Sequence, residues 1–211
     1  MVGVRRALPP VAAVALGVAM VAWASAAAAQ SIINNPGDHV NSVELEPHLI
    51  HIPWDAPADG IGFGFRATVP ILHNGFASAI NNSIGIGFGL DWLHYTDGYC
   101  GYSDCGSGSF NHFMAPVVLQ WNFFLSRRWS VFGEPGVALH YLSWGCPDYV
   151  DNSGNRSPGK CDSTRTHVDG VLFAGARWHL GQYMALTLRI GLGGVRSGWD
   201  TRYASIGISF L

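Results

Sequence analysis

Residues 110–144, FNHFMAPVVLQWNFFLSRRWSVFGEPGVALHYLSW, contain two runs of alternating side chains that meet at the polar turn 126–128. The apolar positions are Phe113, Ala115, Val117, Leu119, Trp121, Phe123 and Leu125 before the turn, and Val131, Gly133, Pro135, Val137, Leu139 and Tyr141 after it. A repeat of two residues predicts β-strands. Each run is long enough for the roughly 9–11 residues that a tilted strand needs to cross hydrocarbon. We therefore predict a β-hairpin of a membrane barrel.

The composition agrees with a membrane location. Only 12% of the 211 residues are charged, and Lys160 is the sole lysine. Soluble domains carry about 25% charged residues. The formal net charge of −2 gives no basic surface for nucleic acid. The length suits one domain or one small barrel behind a leader.

The first 29 residues are interpreted as a signal peptide. Arg5 and Arg6 precede the apolar run 11–21, and small residues at 27–29 resemble a cleavage site. A transmembrane anchor is the alternative, but the run is short and rich in alanine. Residues 30–41 are polar and carry the turn signal Asn34-Asn35-Pro36-Gly37, so we predict a flexible arm.

An even number of cysteines in an exported chain favours disulfides. Cys100 and Cys105 lie in one turn-rich segment, and Cys146 and Cys161 lie in another. Three connectivities are possible, and pairing within each segment is the simplest. Zinc is the rival interpretation, but there is no Cys-x-x-Cys and no clustered spacing of cysteine and histidine, so no metal site is predicted.

Alternation recurs along the chain and predicts about eight strands in a closed antiparallel up-and-down barrel over residues 42–211. Besides the central hairpin, the alternating runs lie near 43–54, 61–71, 83–92, 168–179, 183–192 and 203–210. Long polar loops are expected near 97–109 and 145–165, and short turns near 127–128 and 181. Short turns at one end and long loops at the other are typical of outer-membrane barrels. The connection 74–82 is longer than this rule prefers.

Alternation does not say which face is the interior, because a soluble lipocalin-like barrel would turn its apolar face inward. An eight-stranded barrel has room only for packed side chains or one small ligand. Eight faces rich in Phe, Trp, Leu, Ile and Val would overfill that space, whereas the glycine-rich opposite faces would fit. We therefore predict that the bulky face contacts lipid. Aromatic residues near both strand ends are expected to form interfacial girdles: Trp92, Tyr95, Tyr141, Trp144, Trp121, Trp129, Trp178 and Tyr183.

The last strand alternates up to Phe210, and this ending resembles the C-terminal signal of outer-membrane proteins, although Leu211 follows the aromatic residue. With the leader, the strand count and the loop asymmetry, residues 43–211 resemble the small eight-stranded OmpA/OmpX-type barrels. The resemblance concerns architecture and implies an outer-membrane location with lipid contact. It brings no motif that fixes an activity.

The predicted interior receives both signs of charge, and buried charges are costly unless paired. We predict a structural network across the lumen: Glu44, Glu46, Arg66, Asp91, Glu134, Asp169, Arg177 and Arg189. His48, Gln120, Asn122, His140 and His179 share this face. Glu134 is expected to accept hydrogen bonds from Arg66, Arg177 or Arg189.

A structural or surface-interaction role is predicted, with an unknown extracellular partner at the long loops. A narrow pore is the alternative, followed by a lipid-modifying barrel enzyme or a soluble lipocalin-like binder. His140 and Glu134 share a face, but there is no Gly-x-Ser-x-Gly, and Ser143 has no obvious acid beside it. No catalytic residue and no cofactor are predicted.

Overall fold

The computed structural model describes residues 31–40, 42–52, 59–96, 109–145, 149–150, 156–157, 163–192 and 202–211. The predicted signal peptide 1–29 and the cysteines Cys100, Cys105, Cys146 and Cys161 lie outside these described residues. Within the described ranges, no helix is long and apolar enough to cross a membrane.

The described chain forms ten β-strands. Their bounds are β1 Glu44–Ile52, β2 Asp59–Leu72, β3 Asn82–Thr96, β4 Ser109–Phe124, β5 Trp129–Gly145, β6 Tyr149–Val150, β7 Arg156–Ser157, β8 Ser163–His179, β9 Met184–Leu192 and β10 Arg202–Phe210. Eight of them close into one antiparallel barrel in the order β1-β10-β9-β8-β5-β4-β3-β2, which confirms the predicted fold class. The short strands β6 and β7 pair only with each other, within the segment predicted as the second long loop.

The barrel is closed by the pairing of its first and last strands. Leu45 of β1 pairs with Phe210 of β10, and His48 pairs with Gly207. On its other side β1 pairs with β2 along its whole length. A closed barrel has no free strand edge, so the backbone N–H and C=O groups of the wall are paired within it. This condition lets a sheet cross hydrocarbon.

The side chains alternate about this wall as the sequence predicted. The exposed fraction is 46% for Phe65, 52% for Val137 and 51% for Ile190, whereas it is 1% for Arg66 and 0% for Glu134. Bulky apolar residues thus cover the outside and the charged residues lie inside. This orientation is the opposite of that in a soluble lipocalin-like barrel.

The two ends of the barrel differ. Residues 73–81, 125–128 and 180–183 connect strands at one end, where the arm and Leu211 also lie; we call it the turn end. The connections after β1, β3, β5 and β9 lie at the opposite end, the loop end. The strands that flank the segments predicted as long loops end or begin at the loop end, and β8 begins at Ser163, inside the range 145–165 assigned to the second of them.

Residues 31–40, the arm, pack across the turn end instead of forming the flexible arm that the sequence predicted. The Ile32 amide donates to Leu125 O at 3.2 Å, and the Asn81 amide donates to Ile33 O at 2.6 Å. The side chain of Ile32 is only 4% exposed. The physical reason is that the turns leave backbone groups unpaired, and the arm supplies their partners. The length of the connection 74–82 is thus explained, because Asn81 at its end pairs with the arm.

Charge on the outer face tests the orientation. We expect Val137→Arg to lower the free energy of unfolding by about 2–4 kcal/mol, because an arginine near the bilayer midplane is costly. The control Val137→Leu should change it by well under about 1.5 kcal/mol. Urea titration of the protein refolded in phospholipid vesicles measures both. Equal stability of the two variants would mean that Val137 faces water.

Candidate functional site in the barrel lumen

The lumen contains all eight residues of the predicted network, each with an exposed fraction of 6% or less. They come from β1, β2, β3, β5, β8 and β9, because every second residue of these strands points inward. The network residues are Glu44, Glu46, Arg66, Asp91, Glu134, Asp169, Arg177 and Arg189.

Arg189 forms the centre of this network and joins three strands. Its Nε donates to Glu134 Oε2 at 3.0 Å, and its Nη2 lies 3.3 Å from Glu134 Oε1. The same guanidinium donates from Nη1 and Nη2 to the two carboxylate oxygens of Glu46, the second at 3.1 Å. Two carboxylates therefore share one planar fork, which is the geometry that arginine favours. Of the three arginines predicted for Glu134, this one makes the hydrogen bonds.

Arg66 extends the network toward the loop end. Its Nη2 donates to Asp91 Oδ2 at 3.1 Å, and its Nη1 lies 3.7 Å from Glu134 Oε2. Asp91 also contacts His48 Nε2 at 3.0 Å and accepts from the Tyr203 hydroxyl at 3.2 Å. Asp91 is fully buried, so these three partners together replace the water that a carboxylate would otherwise bind.

Arg177 organises a second group nearer the turn end. Its Nη2 lies 2.7 Å from Glu44 Oε1, and its Nη1 donates to Asn122 Oδ1 at 2.6 Å. The Gln120 amide lies between Asn122 and Thr68, 2.9 Å and 2.6 Å from their side-chain oxygens. This group joins β1, β2, β4 and β8 across the lumen.

Glycines create the space that the arginines occupy. A Cβ at Gly89 would lie 2.9 Å from Arg66 Nε, and one at Gly64 would collide with Asp91 and lie 2.6 Å from His48 Nε2. Real Cβ atoms essentially never approach so closely, so any larger residue would displace the network. At these two positions of β2 and β3, glycine is therefore required by the charged network beside it.

Phe132 separates the two arginine groups. Its ring centroid is 4.3 Å from Arg177 Cζ and 5.2 Å from Arg189 Cζ. Both distances are within the range of cation–π attraction. An aromatic face thus supports guanidinium groups that cannot all find oxygen partners.

Asp169 takes a different position. It pairs in register with Ala138, two inward-facing positions nearer the loop end than Glu134. Its Oδ1 accepts a hydrogen bond from the Gly170 amide at 2.9 Å. The network as predicted is therefore concentrated in the turn-end half of the lumen, with Asp169 above it.

The loop-end half of the lumen is mainly apolar, which the sequence reasoning missed. A cluster of inward side chains fills it: Ile50, Leu93, Tyr95, Met114, Val118, Ala138, Leu142, Val171, Phe173 and Tyr203. The signal was present, since Leu93 and Leu142 share the parity of Asp91 and His140. The apolar cluster was not predicted, because bulky apolar residues were assigned from the sequence to the lipid face.

Three histidines line one wall of this half. His112 Nε2 lies 2.8 Å from His140 Nδ1, and the His140 and His167 rings are stacked with centroids 4.8 Å apart. Because the His140 and His167 rings are nearly parallel, their nitrogens do not point toward one shared position. In the part of the chain that the structure describes, no group of three or more His, Cys, Asp or Glu residues could hold a metal ion.

The aromatic girdles are partly as predicted. Tyr141, Trp178 and Tyr183 face outward with exposed fractions of 40%, 41% and 70%, while Trp92, Trp121 and Trp129 are half-buried. Tyr95 is a correction: it is 8% exposed and belongs to the apolar cluster of the lumen, since its parity is that of Leu93 and not of Trp92. The side chain of Trp144 lies outside the described residues.

One serine and histidine pair resembles part of a catalytic triad. Ser130 Oγ lies 2.9 Å from His179 Nε2 at the turn end. Ser130 is 0% exposed, and among the described residues no carboxylate hydrogen bond to His179 is found. A nucleophile needs both access to substrate and an oriented base, so this pair is not assigned a catalytic role.

Comparison with known proteins places this geometry among membrane barrels. No protein-family model matches the sequence, and no curated protein sequence matches it. Among solved structures, the outer membrane protein OprG from Pseudomonas aeruginosa is similar, with 10% identity, a TM-score of 0.53, and coverage of 83% of this chain and 98% of that one. The chain has the fold of a small eight-stranded outer-membrane barrel.

Two further structures have lower similarity scores. Neisserial surface protein A has 14% identity and a TM-score of 0.44, covering 80% of this chain and 96% of its own. Ail, the attachment invasion locus protein of Yersinia pestis, has 12% identity and the same TM-score and coverage. At these identities the likeness concerns the fold alone, so function has to be argued from this chain's own residues.

The pairing of Arg189 gives a stability prediction. We expect Arg189→Met to lower the free energy of unfolding by about 3–5 kcal/mol, because Glu46 and Glu134 would remain buried without their cation. The triple variant Arg189→Met, Glu46→Gln, Glu134→Gln should recover most of this loss, since no unpaired charge is left. Urea titration in phospholipid vesicles provides the comparison. A single variant as stable as the wild type would show that the ion pairs do not hold the strands together.

Proposed function

We propose that the protein is an outer-membrane barrel with a structural or surface-interaction role, whose lumen is closed by the charged network. The observation that carries the proposal is the position of Arg189, which lies across the lumen and binds Glu46 of β1 and Glu134 of β5 from β9. The protein would reach the outer membrane through the export signal predicted at 1–29.

A membrane position is supported by the outer surface. Large apolar side chains are exposed on all eight barrel strands, among them Leu49, Phe63, Leu90, Val117, Val137, Val168, Ile190 and Ile206. A surface of this kind on a water-soluble monomer would be a strong aggregation hazard. Acyl chains of lipid are the medium that suits it.

A closed lumen is supported by the cross-strand ion pairs. Arg189 joins β1, β5 and β9; Arg66 joins β2 to β3; Arg177 joins β1, β4 and β8. An ion passing through would have to displace these buried charges from their partners. Desolvated pairs of this kind resist separation, because each partner left alone is strongly unfavourable. A plugged barrel therefore explains the network better than a narrow pore.

A surface-interaction role is supported by the asymmetry of the connections. The sequence places its longest polar segments, 97–109 and 145–165, at the loop end, while β4–β5 and β8–β9 are joined by turns of a few residues. Loops on a rigid barrel are where recognition is usually sited. The rigid wall would hold these loops at the cell surface.

Current recordings separate the plugged barrel from the pore. We expect the wild-type protein in planar lipid bilayers to give no stepwise conductance. The variant Glu46→Ala, Glu134→Ala, Arg189→Ala should give small steps only when Phe173→Ala and Leu93→Ala are added, because the apolar cluster still fills the loop-end half of the lumen after the charged network is removed. Different gel mobilities of unboiled and boiled samples would verify that each variant folds. Steady ion-selective steps from the wild type would favour the pore, and release of fatty acid from phospholipid would favour an enzyme.

A further inference from the structure

The arm is held at the turn end by a turn and by paired backbone groups. Pro36 and Gly37 occupy the centre of the turn 35–38, in which the Asp38 amide donates to Asn35 O at 3.2 Å and Gly37 has φ +84°. This is the geometry of a type II turn, which favours Pro followed by Gly. The turn reverses the arm and directs His39 back onto the barrel.

His39 makes the arm's most specific contact with the barrel. Its ring lies between His73 and Phe124, with centroid distances of 4.6 Å and 4.1 Å. Its Nδ1 lies 2.5 Å from Asn81 Oδ1, while Asn81 Nδ2 donates to Asp38 O at 3.1 Å. Because Asn81 Oδ1 can only accept, Nδ1 carries the ring proton of neutral His39.

The other nitrogen of this ring has no partner. His39 Nε2 is buried and makes no hydrogen bond among the described residues. A neutral imidazole tolerates this, since Nε2 then holds a lone pair. A second proton would have to be added at Nε2, which is buried and makes no hydrogen bond in the docked arm, although a backbone group of His73 lies close enough to favour the protonated ring.

A cavity lies behind the arm. It has a volume of about 610 Å³, and its lining includes Asp38 and His39 of the arm and Glu44, Asn122 and Arg177 of the lumen network. The arm therefore forms one wall of the space that leads from the turn end to the lowest ion pair of the lumen.

We propose that the arm is a removable lid over the turn-end mouth of the barrel, and that protonation of His39 releases it. The neutral ring fits between His73 and Phe124 with its single N–H satisfied by Asn81. The protonated ring is disfavoured, because it would be withdrawn from water between His73 and Phe124 with no hydrogen bond formed at Nε2 in the docked arm. The lid would be closed at neutral pH and open in an acidic periplasm.

The surroundings of His39 on balance favour its neutral form. Burial lowers the pKa of His39 below its ordinary value of about 6.5, and the neighbouring His73 lowers it further. The Asn81 hydrogen bond, the His73 backbone and Asp38 act in the opposite direction but are outweighed. Arg127 lies 3.6 Å from Asp38 at the exposed rim, and His179 lies 6.4 Å from Phe124 on the far side.

The sign of the pH effect follows from this direction. A histidine whose pKa is lowered by docking favours the docked arm at pH values above the pKa of the free residue. Docking weakens as the pH falls below about 6.5, because the released arm then gains a proton that the docked arm does not. Each unit by which docking lowers the pKa of His39 weakens docking at low pH by up to about tenfold.

Hydrogen exchange of the full-length mature chain in phospholipid nanodiscs tests the lid. We expect the peptide covering 31–40 to be protected at about pH 7.5 and to lose protection several-fold at about pH 5, after correction for the intrinsic exchange rate. The connection 73–81 should lose protection with it, since the Asn81 amide is bound by Ile33 O. Strand β5 should keep its protection at both pH values. Equal protection of the arm at the two pH values would overturn the proposal.

Three variants identify the responsible ring. His39→Phe keeps an aromatic ring between His73 and Phe124 but takes no proton, so its arm should be equally protected at both pH values. His73→Phe should keep the pH dependence. If His39→Phe fails to dock, Asn81→Asp decides: the loss of the Nδ2 bond to Asp38 O lowers protection at both pH values alike, but protection should no longer fall with pH, because a carboxylate facing His39 stabilises the protonated ring. A pH-dependent arm in His39→Phe, or an unchanged loss of protection in Asn81→Asp, would contradict the role of His39.

Discussion

The pairing of β1 with β10 is the constraint on which the rest of this structure depends. A sheet in hydrocarbon cannot leave an edge unpaired, because no water is present to hydrogen bond its backbone. Closure joins Leu45 to Phe210 and turns the sheet into a wall with an outside and an inside. Every side chain must then suit either acyl chains or a narrow lumen, and the two-residue repeat assigns each to one of them.

The lumen solves a problem that closure creates. Inward positions cannot all hold large side chains, since an eight-stranded barrel has little internal volume. Here Gly64 and Gly89 leave space that the side chains of Arg66, Asp91 and His48 on the same and neighbouring strands occupy. Four carboxylates and three guanidiniums in the turn-end half hold one another, namely Glu44, Glu46, Asp91, Glu134, Arg66, Arg177 and Arg189. The ion pairs replace hydration, and all except Arg66–Asp91 join strands that share no backbone hydrogen bonds.

The sequence was enough to predict the fold and the inward residues, because both follow from parity. Pairwise contacts were harder: Glu46 and Arg189 are separated by 143 positions, so their meeting depends on strand order and register, which alternation alone does not supply. The prediction of Tyr95 as a girdle residue was wrong, because it rested on the nearness of Tyr95 to a strand end, whereas its parity places it inside the barrel. The docking of the arm was not predicted, because the partners of Ile32 and Ile33 lie in turns far along the chain, at Leu125 and Asn81.

The direction in which the bulky side chains point is the central claim, and lipid-borne spin labels measure it. In nanodiscs containing spin-labelled acyl chains, the methyl NMR signals of Val137 and Ile190 should broaden strongly, because these side chains are exposed on the outer wall. The methyl signals of Val118 and Leu93, which are 2% and 1% exposed within the lumen, should stay sharp. Broadening of Val118 and Leu93 with sharp signals from Val137 and Ile190 would contradict the account.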